Sequence, residues 1–174
     1  MTQRTSQTAP EKFASNGGIS TLPSGVPGFD AIVGGGVPQY SFNLITGNPG
    51  SGKTTLAQQI MFANATVERP ALYFTVLGEP TLKMLRYQRR FEFFKPQMLG
   101  AGVQFINLSA EVLSEDLHQV LDRIVSEVER YQPKVVVVDL FRPINAQGFI
   151  RRMADSNRAM GLEPFIQNLA LSVP

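Results

Sequence analysis

Short apolar runs alternate with longer amphipathic stretches from Phe42 onward. Four runs are rich in β-branched and aromatic residues, as buried parallel strands are. They predict strands at Phe42 to Thr46, Ala71 to Val76, Val103 to Leu108 and Val135 to Asp139. Because strands that alternate with helices build a parallel sheet, the pattern predicts an α/β fold.

Three helices are predicted between these strands, the first beginning near Lys53. A second extends from about Pro80 to Phe94, and its basic residues favour a solvated face over a binding patch. The third, from about Glu115 to Tyr131, has the clearest helical period, which we interpret as core. Its apolar positions are Leu117, Val120, Leu121, Ile124, Val125 and Val128.

The two ends of the chain differ from this pattern. Residues 1–18 are polar and aperiodic, which predicts a disordered tail before a single domain at 19–174. The stretch SGVPGFDAIVGGGVP excludes a long helix, and its apolar Val26, Phe29, Ile32 and Val33 indicate an ordered, packed loop. Near the other end, the spacing of apolar residues between Leu162 and Leu169 predicts a final amphipathic helix and no convincing strand.

Residues 47–54 read GNPGSGKT and match the pattern GxxxxGK[ST] between a predicted strand and a predicted helix. The glycines permit a tight loop whose amide hydrogens converge on phosphate oxygens, and the helix dipole adds positive potential. A glycine-rich turn that matches by accident has a chance of about one in a hundred or less. The predicted nucleotide-binding residues are Gly47, Asn48, Pro49, Gly50, Ser51, Gly52, Lys53, Thr54 and Thr55.

Within this motif, Lys53 is predicted to reach the β- and γ-phosphates, and Thr54 to place its hydroxyl on Mg²⁺. A second element, KVVVVDL, ends a buried strand at Asp139, where ligands bind in open α/β sheets. We interpret it as a Walker B segment whose aspartate holds Mg²⁺, in preference to an aspartate that caps a turn.

Composition narrows the function classes only slightly. The chain has 174 residues, enough for one domain, and a net charge of +2 that neither demands nor excludes nucleic acid. It contains no cysteine, which excludes disulfides and cysteine-ligated zinc. Without an apolar leader or a run of about 18 apolar residues, we expect a cytoplasmic protein with no membrane partner.

The order of these segments resembles the KaiC-like branch of the RecA superfamily of ATPases. The resemblance spans about Ser20 to Arg142 and includes SGVPGFDAIVGGGVP, GNPGSGKTT, FTVLGEP and VVVVD. It implies a three-layer P-loop NTPase with a mostly parallel sheet, ATP with Mg²⁺ as ligand, and a ring-shaped homo-oligomer. It also implies a structural brace beside the nucleotide, formed by Gly25, Pro27, Gly28, Asp30 and Gly34 to Gly36.

One departure from the family concerns catalysis. Hydrolysing members end the second strand with two glutamates before a proline, and here that pair is Leu77 and Gly78. Losing such a base typically costs about 10²- to 10⁴-fold in rate. Glu79 is the nearest substitute, although a glutamate at the start of a helix is the favoured interpretation. Lys53 can still stabilise the charge that develops on the γ-phosphate, but the glutamate pair is missing. We therefore expect at most slow hydrolysis.

A second departure concerns length, because family members insert a further strand between the Walker B strand and the P-loop strand. The sequence after Asp139 predicts no convincing strand, so either the chain is a C-terminally truncated or frame-altered member, or another segment or chain fills the gap. The leading hypothesis is a nucleotide-dependent conformational or assembly switch. Alternatives are a non-hydrolysing regulatory module, a DNA-recombination paralogue, for which the sequence offers no direct support, and a non-functional remnant.

Overall fold

The chain folds around a parallel sheet with helices on both faces. The computed structural model describes residues 20–75, 86–109, 117–139 and 167–171. In chain order the elements are β1 (Thr21–Leu22), α1 (Phe29–Ile32), β2 (Val37–Pro38), β3 (Phe42–Ile45), α2 (Lys53–Asn64), β4 (Ala71–Thr75), a 3₁₀ turn (Pro96–Met98), β5 (Val103–Asn107), α3 (Leu117–Tyr131), β6 (Val135–Asp139) and β7 (Gln167–Leu171).

The main sheet has five strands in the order β3-β7-β6-β4-β5, and each neighbouring pair is parallel. Parallel strands align their carboxyl ends at one edge of the sheet, where ligands bind in open α/β folds. The carboxyl ends of β3 and β6 therefore lie at the same edge. A separate two-stranded antiparallel ribbon pairs β1 with β2.

Alternate residues of the central strands build two cores, one on each face of the sheet. On one face, Tyr73 and Val137 pack with Ala57, Ile60 and Met61 of α2. On the other, Leu72, Phe74, Val136 and Val138 pack with the apolar stripe of α3. The stripe residues Val120, Leu121, Ile124 and Val128 are buried, as the sequence predicted. The three-layer α/β architecture is thus confirmed.

The prediction that the strand after Asp139 is missing was wrong. Strand β7 lies between β6 and β3 and pairs in parallel with both, with Asn168 opposite Val136 and Phe42. The predicted final helix was also wrong in this region, because Leu169 lies within β7. The apolar spacing from Leu162 to Leu169 fits a helix locally, but two strands that each need a partner override a weak local preference. The sheet therefore has no central gap.

The second predicted helix ends earlier than expected. Among its described residues only 86–88 are helical, and the chain then turns. Phe94, predicted to be helical, instead packs edge-to-face on Phe62 with ring centroids 5.3 Å apart. Arg86, Arg89 and Arg90 are exposed, as expected of a solvated face. The remaining residues of this predicted helix lie outside the described ranges.

The glycine- and proline-rich stretch forms α1, β2 and the turns around them, and β1 immediately precedes it. Val26 and Phe29 are half-buried, consistent with a packed segment. The expectation that Ile32 and Val33 also pack was wrong, since they are 84% and 43% exposed. Helix α1 is only four residues long, and the side of it that carries Phe29 is half-buried while Ile32 points to solvent. The predicted N-terminal tail lies outside the described residues.

Candidate functional site

The loop of residues 47–52 connects β3 to α2 and presents its residues to solvent. Residues 48–52 are exposed, while Lys53, Thr54 and Thr55 in the first turn of α2 are half-buried. Gly52 immediately precedes α2 with φ 89°, a left-handed conformation that favours glycine. A Cβ atom on Gly47 would lie 2.8 Å from the Ser51 Oγ, so the loop closes tightly there. The backbone thus forms a glycine-dependent turn at a helix N-terminus, a geometry suited to phosphate.

The side chain of Lys53 folds back across this loop. Its Nζ donates hydrogen bonds to the carbonyl oxygens of Gly47, at 2.5 Å, and Asn48, at 3.0 Å. These carbonyls hold the ammonium group over the loop, where the phosphates of a bound nucleotide would also lie. Phosphate oxygens carry more charge than carbonyl oxygens and make stronger hydrogen bonds to an ammonium group.

Asp139, the last residue of β6, meets the first turn of α2 at the carboxyl edge of the sheet. The Thr54 Oγ1 lies 3.4 Å from Asp139 Oδ2, and the Tyr73 hydroxyl donates a second hydrogen bond to the same oxygen. Asp139 is only 5% exposed. The structure therefore brings together Lys53, Thr54 and Asp139, which the sequence had predicted separately.

Burial controls the protonation of both acidic groups here. It raises the pKa of the Asp139 carboxyl, against the opposing effects of hydrogen bonds from Tyr73 and Thr54 and of the Lys53 charge. Burial also raises the pKa of the Tyr73 hydroxyl, and the nearby Asp139 raises it further. Tyr73 consequently keeps its proton and acts as a hydrogen-bond donor to the carboxylate.

The oxygen atoms at this edge suit a magnesium ion. Mg²⁺ prefers hard oxygen ligands and commonly combines one or two protein oxygens with phosphate and water. Thr54 supplies a hydroxyl and Asp139 a carboxylate, and the two groups are in contact at the first turn of α2, directly after the loop of residues 47–52. Within the described residues, the hydrogen bonds to Asp139 end on Oδ2, so Oδ1 has no protein donor. The residues present therefore fit Mg²⁺ bound together with a nucleotide.

The segment before the loop is tied to α2. Asn64 Nδ2 donates to the Pro23 carbonyl at 2.8 Å, and Gln59 Nε2 donates to the Gly25 carbonyl at 2.5 Å. The Asp30 carboxylate accepts the backbone N–H of Ser24 at 3.0 Å. A Cβ atom on Gly25 would lie 2.8 Å from the Ala63 Cβ, so the two backbones approach closely. These contacts are consistent with the expected brace beside the loop.

Sequence reasoning missed two buried polar residues at this site. Tyr73 is fully buried, and the side chain of Gln58, a buried residue on α2, partly offsets the rise in the pKa of the Tyr73 hydroxyl. The sequence signal for Tyr73 was an aromatic residue with a hydroxyl group, two residues before the end of an apolar strand. The signal for Gln58 was a glutamine among apolar residues on one face of a helix. Both patterns also occur in ordinary cores.

Some predicted site residues are not placed by the described structure. Glu79, together with Leu77 and Gly78, lies outside the described ranges. Among the described residues, no helix is long and apolar enough to cross a membrane.

Comparison with known proteins gives consistent results. The sequence model of a family described as "ATPase: KaiC" matches residues 22–156. The DNA repair protein RadA of Mycobacterium tuberculosis is 35% identical over 119 residues, which are 67% of this chain and 22% of that protein. The circadian clock oscillator protein KaiC of Thermostichus vulcanus is 26% identical over 149 residues, or 79% of this chain and 29% of that protein. The chain thus spans less than a third of the length of these relatives.

The fold is also similar to that of a solved structure. A KaiC-like protein from the hyperthermophilic archaeon Pyrococcus horikoshii superimposes with a TM-score of 0.68 and 23% sequence identity. The match covers 90% of this chain and 73% of that protein. At this level of identity, the similarity establishes a shared fold.

Proposed function

Because the chain belongs to the KaiC family of ATPases, in the RecA superfamily of P-loop proteins, we propose that it binds Mg²⁺·ATP at the loop of residues 47–54 and at Asp139. The observation that carries this proposal is the meeting of Thr54 and Asp139 beside the phosphate loop, at 3.4 Å between Oγ1 and Oδ2. An oxygen pair at that position suits a metal ion that also binds phosphate.

Each residue then has a defined role in binding. The backbone N–H groups of residues 47–53, apart from Pro49, which has none, surround the phosphates at the N-terminus of α2. Lys53 exchanges its contacts with the Gly47 and Asn48 carbonyls for phosphate oxygens. Thr54 and Asp139 hold the magnesium ion, directly or through water. When bound, Mg²⁺ neutralises charge on the β- and γ-phosphates.

An equilibrium titration with a fluorescent ATP analogue, in Mg²⁺ and again in EDTA, tests this proposal. Lys53→Ala should weaken binding by about 10- to 100-fold, since charge-assisted hydrogen bonds contribute about 1.5–3 kcal/mol each. Lys95→Ala is the matched control, because Lys95 is exposed and lies in the turn before residues 96–98. Equal affinity in wild type, Lys53→Ala and Lys95→Ala would contradict the proposal.

We further propose that hydrolysis is slow, and that the bound nucleotide acts as a switch for conformation or assembly. The sequence supports this, because Leu77 and Gly78 cannot activate water and Glu79 is the nearest base. Phosphate release should be slow in the wild type. If Glu79 activates the water, Glu79→Gln lowers the residual rate further without changing ATP affinity. Rapid turnover in both proteins would contradict the proposal.

A DNA-handling role is the second candidate. The similarity to RadA, which is named as a DNA repair protein, favours it. Phosphate release with and without single-stranded DNA, at two salt concentrations, distinguishes the two candidates. Stimulation by DNA that falls as salt rises would support DNA handling, because phosphate contacts release counterions.

A further inference from the structure

Tyr73 reaches Asp139 because of the register of two neighbouring strands. Tyr73 on β4 lies opposite Val137 on β6, so Asp139 is its diagonal neighbour on the same face, two residues nearer the carboxyl edge. A tyrosine side chain is long enough to span that diagonal. Its hydroxyl is thereby placed on the carboxylate by the sheet itself.

The Tyr73 ring has little freedom to move. It is fully buried, and its centroid lies 5.2 Å from that of Phe105 on β5. On the α2 side, Tyr73 belongs to the same core as Ala57, Ile60 and Met61. A donor fixed in this way can hold a carboxylate in one orientation at little further cost in entropy.

The two oxygens of Asp139 have different surroundings. Oδ2 accepts the hydrogen bond from Tyr73 and the longer contact, at 3.4 Å, from Thr54. In the described part of the chain, Oδ1 accepts none. When Thr54 turns its hydroxyl oxygen to a metal ion, Tyr73 remains as the fixed partner of Oδ2.

We propose that Tyr73 is a positioning residue for magnesium: its hydroxyl holds Oδ2 of Asp139 so that Oδ1 faces the ion or a water bound to it. Tyr73 touches neither the nucleotide nor the metal, and acts through Asp139. The inference rests on the proposed function, since it assumes that Asp139 serves a nucleotide-bound magnesium ion. Partners that orient metal ligands in this way typically contribute about 10- to 100-fold to metal affinity.

Tyr73→Phe removes the hydroxyl and keeps the packed ring. The affinity for a fluorescent ADP analogue is measured in EDTA and then at a series of Mg²⁺ concentrations. The midpoint is the Mg²⁺ concentration at which half of the gain in ADP affinity is reached. We expect that midpoint to rise by about 10-fold or more in Tyr73→Phe. Affinity in EDTA should stay within about twofold, because the phosphate loop is unchanged.

Tyr87→Phe is the control, since it removes the same hydroxyl from a side chain that is 65% exposed. An unchanged Mg²⁺ midpoint in Tyr73→Phe, or an equal loss of affinity in EDTA and in Mg²⁺, overturns the inference. So does failure of Tyr73→Phe to melt cooperatively even with ADP present, because the hydroxyl would then serve the fold. Absence of ADP binding by the wild type would instead overturn the proposed function.

Discussion

At the scale of single residues, Asp139 is a charged group in a place that favours its neutral form. It is nearly buried, and burial raises the pKa of its carboxyl above the ordinary value of 3.8. The protonated carboxyl therefore contributes fully to the stability of the fold below pH 3.8. This contribution is lost as the pH rises through the raised pKa of the folded state. Burial therefore makes the charged form of Asp139 costly in the ligand-free protein, which is typical of a functional site.

Replacing this charge should separate stability from function. In EDTA at pH 7, we expect Asp139→Asn to melt at a higher temperature than wild type, because the neutral amide replaces a carboxyl whose charged form is disfavoured by burial. The difference should shrink as pH falls toward 4, because the wild-type carboxyl then takes up its proton in the folded state. The gain in stability from Mg²⁺·ATP should be reduced in the variant. Melting temperatures between pH 4 and pH 8 measure all three effects.

Asp122→Asn is the control, because it removes a carboxylate from an exposed position of α3. It should show neither the gain in EDTA nor the reduced response to Mg²⁺·ATP. A pH-independent difference between Asp139→Asn and wild type would contradict the interpretation of Asp139 as a buried charge.

The candidate site could be predicted from sequence only where a residue type and its spacing have one physical meaning. The motif GNPGSGKT specifies a loop before a helix, and β6 places Asp139 at a strand end, so these residues were identified. Tyr73 was not, because a tyrosine in an apolar strand is as well suited to a core as to a site. Its role depends on pairing with β6, which lies far along the chain.

At the scale of elements, the same distinction separates α3 from β7. The apolar residues of α3 repeat with a helical period over about four turns. A strand could not place residues with that spacing on one face, and the predicted helix was correct. Strand β7 has five residues, and the apolar spacing around it also fits a helix. Its conformation is decided by β6 and β3, each of which offers it a row of backbone partners. Such pairing cannot be read from a local window.

Because β7 lies between β3 and β6, a single proline substitution tests its position in the sheet. Ala170→Pro should lower the free energy of unfolding by about 2–4 kcal/mol, because proline removes a ladder hydrogen bond and leaves a buried group without a partner. Ala170→Gly keeps the amide and serves as the control, with an expected loss of about 1 kcal/mol or less. Urea denaturation measures both. Equal stability of Ala170→Pro and wild type would contradict the placement of β7.

At the scale of the whole molecule, the chain has the sheet of a KaiC-family ATPase domain and spans only part of the length of its relatives. It covers 22% of RadA and 29% of the clock protein KaiC. The family assignment and the fold therefore concern this domain, while assembly remains a proposal. If nucleotide binding drives assembly, light scattering after size exclusion should show a larger species with Mg²⁺·ATP than with EDTA. A constant mass in both conditions would contradict the assembly switch.

The central claim is that this chain is a folded domain whose stability depends on Mg²⁺·ATP held at the phosphate loop. Thermal melting of wild type and Lys53→Ala, each with and without Mg²⁺·ATP, tests it most directly. At a nucleotide concentration of about 100 times the Kd, binding adds about 2.7 kcal/mol, or roughly 5–10 °C, to the wild type. Lys53→Ala should lose most of that rise. A cooperative melt that Mg²⁺·ATP leaves unchanged in the wild type would contradict the account.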